Sequence, residues 1–206
     1  MRGPSWTPIT PLTGSLLHAD PQAQLVVADV NRTKVSAMVA AYGASAAEAS
    51  AIVSADVDVF APCALGASID RQATRRLRAG VICGAANNQL ASEADGELLA
   101  RAGALYAPDF LVNAGGIVSV AGEYLGWSES EVLRRVDAIP DRLCDLLKSA
   151  DADGVPPATM AWRAARSIIA AGVSNSRRSF TATAFTDLWF TRAAGPDAAA
   201  CHGRDR

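Results

Sequence analysis

Val81-Ile82-Cys83-Gly84-Ala85-Ala86-Asn87-Asn88-Gln89-Leu90 starts apolar and runs into three consecutive amides. A short apolar run, then small residues, then polar groups reads as a buried strand whose carboxyl end opens onto a cleft. In an open α/β sheet, ligands bind outside the carboxyl ends of the strands. Two other runs end in the same way. Val57-Asp58-Val59-Phe60-Ala61 leads into Pro62-Cys63-Ala64-Leu65-Gly66, and Leu105-Tyr106-Ala107-Pro108-Asp109-Phe110 leads towards Asn113-Ala114-Gly115-Gly116.

Outward from this stretch, Leu25-Val26-Val27-Ala28-Asp29 is the first clear strand. Asn31 offers an N-cap to a helix over 33–42, and Gly43 ends it. Val35, Met38, Val39 and Tyr42 share one face of that helix. Residues 44–54 are small and polar and read as a short strand and a helix. Asp70 caps a helix predicted to run through Arg78, with Gly80 as its stop. Ser92 and Asp95 form a capping pair for a further helix that ends at Gly103. Strands alternating with helices every 20–25 residues or so predict a parallel sheet with crossover connections.

After Asn113 the pattern becomes helical. A helix is expected over 116–125, and Ser128 facing Glu131 signs the start of the next. Pro140 should bend or break that helix before Ala150. Asp151-Ala152-Asp153-Gly154 reads as a turn, and Pro156-Pro157-Ala158 opens a last helix to about 171. Residues 1–14 carry prolines and little periodicity and are expected to be irregular. Residues 172–206 do not continue the pattern and take no assigned role.

The chain has 206 residues, half of them hydrophobic, and a net charge of −2 with no basic run. A sizeable core follows, and a nucleic-acid footprint does not. Cys63, Cys83, Cys144 and Cys201 show no CxxC spacing, as expected of reduced thiols in a cytoplasmic protein. No His/Cys/Asp cluster has metal spacing. No apolar run reaches the roughly 18 residues of a membrane span, and no leader pattern opens the chain. Lysine is scarce, two residues (Lys34 and Lys148) against seventeen arginines, so few amines are available as catalytic groups.

Several residues carry candidate chemistry. An acid such as Asp29, ending a strand before a helix, accepts hydrogen bonds from adenosine ribose hydroxyls and repels a 2′-phosphate. A helix-capping aspartate is the bland alternative. The glycine-rich loop that should stand about 20 residues upstream is absent, since Gly3 and Gly14 do not make the motif. Small residues at 62–66 let backbone approach a ligand, or make an ordinary turn. Asn87 and Asn88 suit a ribose or carboxamide, or a turn. Asn113 precedes a helix that opens at Gly115-Gly116, where backbone N–H groups could meet an anion. Ile117 and Val120, one turn apart, wall an apolar pocket or pack in the core. His18 and His202 are isolated.

Together these motifs, in this order, resemble the amino-acid dehydrogenases of the Glu/Leu/Phe/Val type. The match is to the cofactor-binding domain of the leucine, phenylalanine and valine enzymes, over residues 15–171. Leu125-Gly126-Trp127-Ser128-Glu129-Ser130 is most similar to the phenylalanine branch. The resemblance implies a Rossmann-like, doubly wound parallel sheet, here without its first strand and glycine-rich loop, followed by C-terminal helices. It implies NAD as cofactor and reversible oxidative deamination of an apolar amino acid to its 2-oxo acid. Asp29 would take the adenosine ribose, and Cys63, Ala64 and Leu65 would lie along the adenosine side. Ala85, Ala86 and Asn87 would lie along the nicotinamide ribose, and Asn113 near the carboxamide and the substrate. Ile117 and Val120 would shape the side-chain pocket. The family's catalytic lysine pair and aspartate belong to its N-terminal domain, outside the matching stretch, so no catalytic residue is assigned in this chain. A partner carrying that domain, or a homologous chain, is the expected macromolecular partner, with no nucleic acid and no membrane. The competing expectation is a non-catalytic nucleotide-binding remnant or accessory subunit of a split dehydrogenase. A Rossmann-type methyltransferase would share the acidic ribose ligand but not the later motifs.

Overall fold

The computed structural model describes residues 23–63 and 66–176, with side chains as far as residue 171. The expectations for residues 1–14, for Ala64 and Leu65, and for 177–206 fall outside the described residues. The chain divides into two compact units between Asp109 and Phe110.

The first unit is α/β, as expected. Strand β1 (Val26–Val27) pairs in parallel with β2 (Ser45–Ala46), Val26 opposite Ser45. Helix α1 (Arg32–Tyr42) makes the crossover between them. Its ends obey local chemistry. The Asn31 side chain accepts from the Thr33 and Lys34 N–H groups, and Gly43 closes the helix in the left-handed region at φ 63°. Val27, Met38 and Ala44 form a buried cluster, with Leu25, Val35 and Tyr42 packed against it. A 3-10 turn over Ile52–Ser54 follows, where a helix was expected.

A second parallel sheet holds β3 (Val59–Phe60), β4 (Val81–Ile82) and β5 (Leu105–Tyr106), in that order. Phe60 stands opposite Ile82, and Ile82 opposite Tyr106, so all three strands end level with one another. Phe60, Ile82 and Tyr106 are buried while Val59 and Leu105 are exposed, the alternation of a pleated strand. The ladders among the described residues thus form two sheets, of two and three strands. Helix α2 (Arg71–Arg76) connects β3 to β4, and α3 (Glu93–Arg101) connects β4 to β5. The Asp70 carboxylate accepts the Ala73 N–H at 2.7 Å, as a cap should. Helix α2 stops at Arg76, not Arg78, because Leu77 turns extended, with ψ 134°. Ser92 does not cap through its side-chain oxygen. Its hydroxyl donates to the buried Asp95 carboxylate at 2.7 Å.

The second unit is helical. A short helix α4 (Asp109–Val112), begun at the unit boundary and not anticipated in the sequence, precedes α5 (Gly115–Leu125). Gly126 ends α5 in the left-handed region and Ser128 caps α6 (Glu129–Asp137), accepting the Glu131 N–H. Gly122 lets α6 come close: a Cβ there would sit 2.5 Å from Val132 Cγ2. Pro140 interrupts the helical run as expected, because it lies in the first turn of a new helix, α7 (Ile139–Asp153), after a break at Ala138. The predicted turn over 151–154 is narrower, since α7 reaches Asp153 and Gly154 closes it. Helix α8 (Pro157–Ser176) continues past residue 171. Its Trp162 stacks at a tilt on Phe110, ring centroids 5.1 Å apart.

The tightest backbone approach lies between the ends of β3 and β4. A Cβ on Gly84 would meet the Pro62 carbonyl oxygen at 2.2 Å and its nitrogen at 2.5 Å. Backbone at both points cannot yield as a flexible side chain would. Gly84→Ala should therefore lower stability by about 1–3 kcal/mol in urea unfolding. Gly116→Ala, where nothing lies within 4 Å, should be near neutral. Equal effects from the two changes would contradict this account.

Candidate functional site

The level carboxyl ends of β3, β4 and β5 bring three loops together. Residue 63 follows β3, residues 83–90 follow β4, and residues 107–109 follow β5. Cys63 and Cys83 are both free and half-buried. Burial pushes the Cys83 thiol above the usual thiol range, and the nearby Cys63 adds to the shift. The Ala86 N–H donates to the Pro62 carbonyl at 3.0 Å, which pins the second loop to the first. Ala85 and Asn87 are exposed on either side of that buried alanine. Asn88 sits in the left-handed region at φ 52°, a conformation asparagine tolerates better than most residues.

Three residues that the sequence reading left without a role organise this edge. Gln89 is fully buried. Its amide nitrogen donates to the carbonyls of Gly84 at 2.7 Å and Ala86 at 2.9 Å. Its backbone N–H donates to Asp109 Oδ2 at 2.9 Å. The Asp109 N–H in turn donates to the Tyr106 hydroxyl at 3.3 Å. Burial, and then the charge of Asp109, push that hydroxyl above the usual phenol range, so it stays neutral at physiological pH. Nothing in the spacing of Gln89, Tyr106 and Asp109 announces this network, because it depends on how two loops meet.

Asp29 belongs to the other sheet of the unit, just past β1. Only 8% of it is exposed. Its Oδ1 accepts the Asn31 N–H at 2.7 Å, and its Oδ2 is buried without a hydrogen-bond partner among the described residues. Asn31, not Asp29, caps α1, so the bland capping alternative for Asp29 does not hold. A buried carboxylate oxygen with no partner is costly unless something pairs with it. It is a hydrogen-bond acceptor near a strand end, the chemistry a ribose hydroxyl would use, and in that respect the residues present fit a dinucleotide.

The remaining predicted site residues lie in the helical unit. Asn113 is half-buried between α4 and α5. Ile117 and Val120 are 68% and 60% exposed, so they do not pack in the core of their own unit. Tyr124, one turn further along the same stripe, is 86% exposed. Val118 turns inward from the opposite side of α5. Among the described residues no group of His, Cys, Asp and Glu could hold a metal ion, and no helix is long and apolar enough to cross a membrane.

Comparison with known proteins agrees with the ordered motifs. The model of the Glutamate/Leucine/Phenylalanine/Valine dehydrogenase family matches residues 19–173. A leucine dehydrogenase from Bacillus cereus is 38% identical over 164 residues, covering 80% of this chain and 44% of that protein. An L-tryptophan dehydrogenase from Nostoc punctiforme is 40% identical over 157 residues, covering 76% of this chain and 43% of that protein. The crystal structure of L-tryptophan dehydrogenase from Nostoc punctiforme superposes with a TM-score of 0.70 at 38% identity, covering 73% of this chain and 46% of that one. The chain thus spans less than half the length of these relatives.

The environment of Cys83 has a direct chemical consequence. A raised thiol pKa means less thiolate at a given pH, and thiolate is the reactive form. The pH–rate profile for iodoacetamide labelling of Cys83, followed by peptide mass spectrometry, should have its midpoint above that of an unperturbed thiol. A midpoint at or below the ordinary value would contradict the burial described here.

Proposed function

The chain belongs to the Glutamate/Leucine/Phenylalanine/Valine dehydrogenase family, and on that premise we propose that it is the cofactor-binding half of an NAD-dependent amino-acid dehydrogenase. The reaction is the oxidative deamination of an apolar L-amino acid, with leucine, phenylalanine, valine and tryptophan as the candidates. NAD, when bound, accepts the hydride that leaves the substrate α-carbon. The observation that carries the reading is the Oδ2 of Asp29, buried just past β1 with no hydrogen-bond partner among the described residues. That oxygen accepts from an adenosine ribose hydroxyl, and its charge disfavours a 2′-phosphate. The loop through Ala85, Ala86 and Asn87 takes the nicotinamide-side ribose, and Cys63 lines the adenosine side. Asn113 lies by the carboxamide and substrate. The exposed Ile117 and Val120 supply one apolar wall of the side-chain pocket.

A second reading is a non-catalytic nucleotide-binding remnant, or an accessory subunit of a split dehydrogenase. It is favoured by the placement of the two lysines. Lys34 and Lys148 are both exposed on helices, α1 and α7, and neither matches the family's catalytic lysines. Proton transfer therefore needs groups that these residues do not provide. On both readings little or no turnover is expected of the 206-residue chain alone.

Calorimetric titration with NADH tests the site. Saturable binding is expected, weakened about tenfold or more by Asp29→Ala, as for loss of a hydrogen bond to a charged group. NADPH should bind less well than NADH. Absence of binding at millimolar NADH, in a chain shown to be folded, would overturn the reading. Separately, NADH formation should be undetectable when the pure chain is incubated with NAD and leucine, phenylalanine, valine or tryptophan. Measurable deamination would show that the catalytic groups had been misplaced.

A further inference from the structure

Gln89 is the most completely buried amide at the proposed site, and it does not face outward to meet a ligand. Two features define what it does. First, its side-chain nitrogen contacts two carbonyl oxygens, those of Gly84 and Ala86. Two acceptors at 2.7 and 2.9 Å require a donor, so the amide orientation is set by chemistry. Second, its backbone is held at both ends: its N–H by Asp109 Oδ2, and its carbonyl by the Ile69 N–H at 2.9 Å. The neighbouring Asn88 carbonyl accepts the Ala67 N–H at 2.7 Å. Residues 84–89 therefore form a loop drawn closed across its base by one side chain.

The residues on this loop that face solvent are Ala85, Asn87 and Asn88. Their positions follow from the closure, because the carbonyls on either side of Ala85 are the two that Gln89 holds. Asn88 occupies the left-handed region at φ 52°, a conformation that is strained for most residues and persists where the surroundings enforce it. The Gln89 and Asp109 contacts are that surrounding.

We infer that Gln89 is a positioning residue: it holds the Ala85–Asn88 turn in the shape that receives the nicotinamide-side ribose, without touching the ligand itself. This rests on the nucleotide reading of the site given above. It adds a division of labour, since Asp29 serves the adenosine ribose and Gln89, through the turn, serves only the other half of the dinucleotide.

The test is a pair of titrations of the 206-residue chain, with NADH and with AMP, on the wild type, Gln89→Glu, Gln89→Met and Asp29→Ala. AMP carries the adenosine half alone. Gln89→Glu places acceptor oxygens against two carbonyls and should open the turn. Gln89→Met keeps most of the volume while removing the donor, and so serves if the first variant fails to fold. Both should weaken NADH by about tenfold or more while leaving AMP within about twofold of wild type. Asp29→Ala should weaken both ligands. Retained AMP binding is itself the check that the Gln89 variants are folded. If the wild type binds neither ligand, the nucleotide reading falls and this inference with it. If the wild type binds both, but Gln89 variants with the circular dichroism spectrum and unfolding transition of the wild type lose both equally or neither, the nucleotide reading stands and the assignment to Gln89 is overturned.

Discussion

The carbonyl of Pro62 lies where a side chain on residue 84 would be, and the arrangement of the strand ends depends on that approach. With no Cβ in the way, the chain leaving β3 crosses close over the chain leaving β4. The Ala86 N–H then reaches the Pro62 carbonyl, which ties the second loop to the first. Gln89 follows within hydrogen-bonding distance of Gly84 and Ala86, and Asp109 reaches it from beyond β5. Three loops that are 20 or so residues apart in sequence thus share one set of hydrogen bonds. A larger residue at position 84 would displace the first contact, and each later one is built on it.

Local chemistry was legible in the sequence where a single turn of chain decides the outcome. Asn31 and Gly43 bound α1, Ser128 opens α6, and Pro140 separates α6 from α7, because caps and prolines act on backbone groups within four residues. The parallel strands were legible as apolar runs, although the regular part of each is only two residues long and its ladder bonds reach the flanking residues. The end of α2 was not, because Leu77 turns extended where the local residues would have continued the helix. Nor was the role of Ser92, whose hydroxyl donates to Asp95 in place of capping the backbone.

The candidate site was legible in part, for the same reason. Asp29 and the Asn87–Asn88 turn stand out because strand ends are where ligands bind, and a polar group there invites the question. Gln89, Tyr106 and Asp109 carry no comparable signal. They are adjacent in space only because β4 and β5 are paired in register, and no spacing along the chain encodes that. Ile117 and Val120 show the converse limit. Their periodicity suits core as well as pocket, and only their exposure on α5 sets the core of their own unit aside.

The two oxygens of Asp29 differ in a way that reaches beyond recognition. Oδ1 is tied to the Asn31 N–H, and Asn31 is itself committed to capping α1, so the carboxylate cannot rotate to relieve Oδ2 without disturbing a helix end. Among the described residues nothing relieves the desolvation of that oxygen in the absence of a ligand. It is a standing cost to stability, incurred at folding and absent from the unfolded chain. A group that hydrogen-bonds Oδ2 removes the cost and binds only the folded form, so it raises the melting temperature by mass action as well as by contact. On the proposed nucleotide reading, stability and function are opposed at this one atom: the substitution that most eases folding there is the one that removes the acceptor for the ribose.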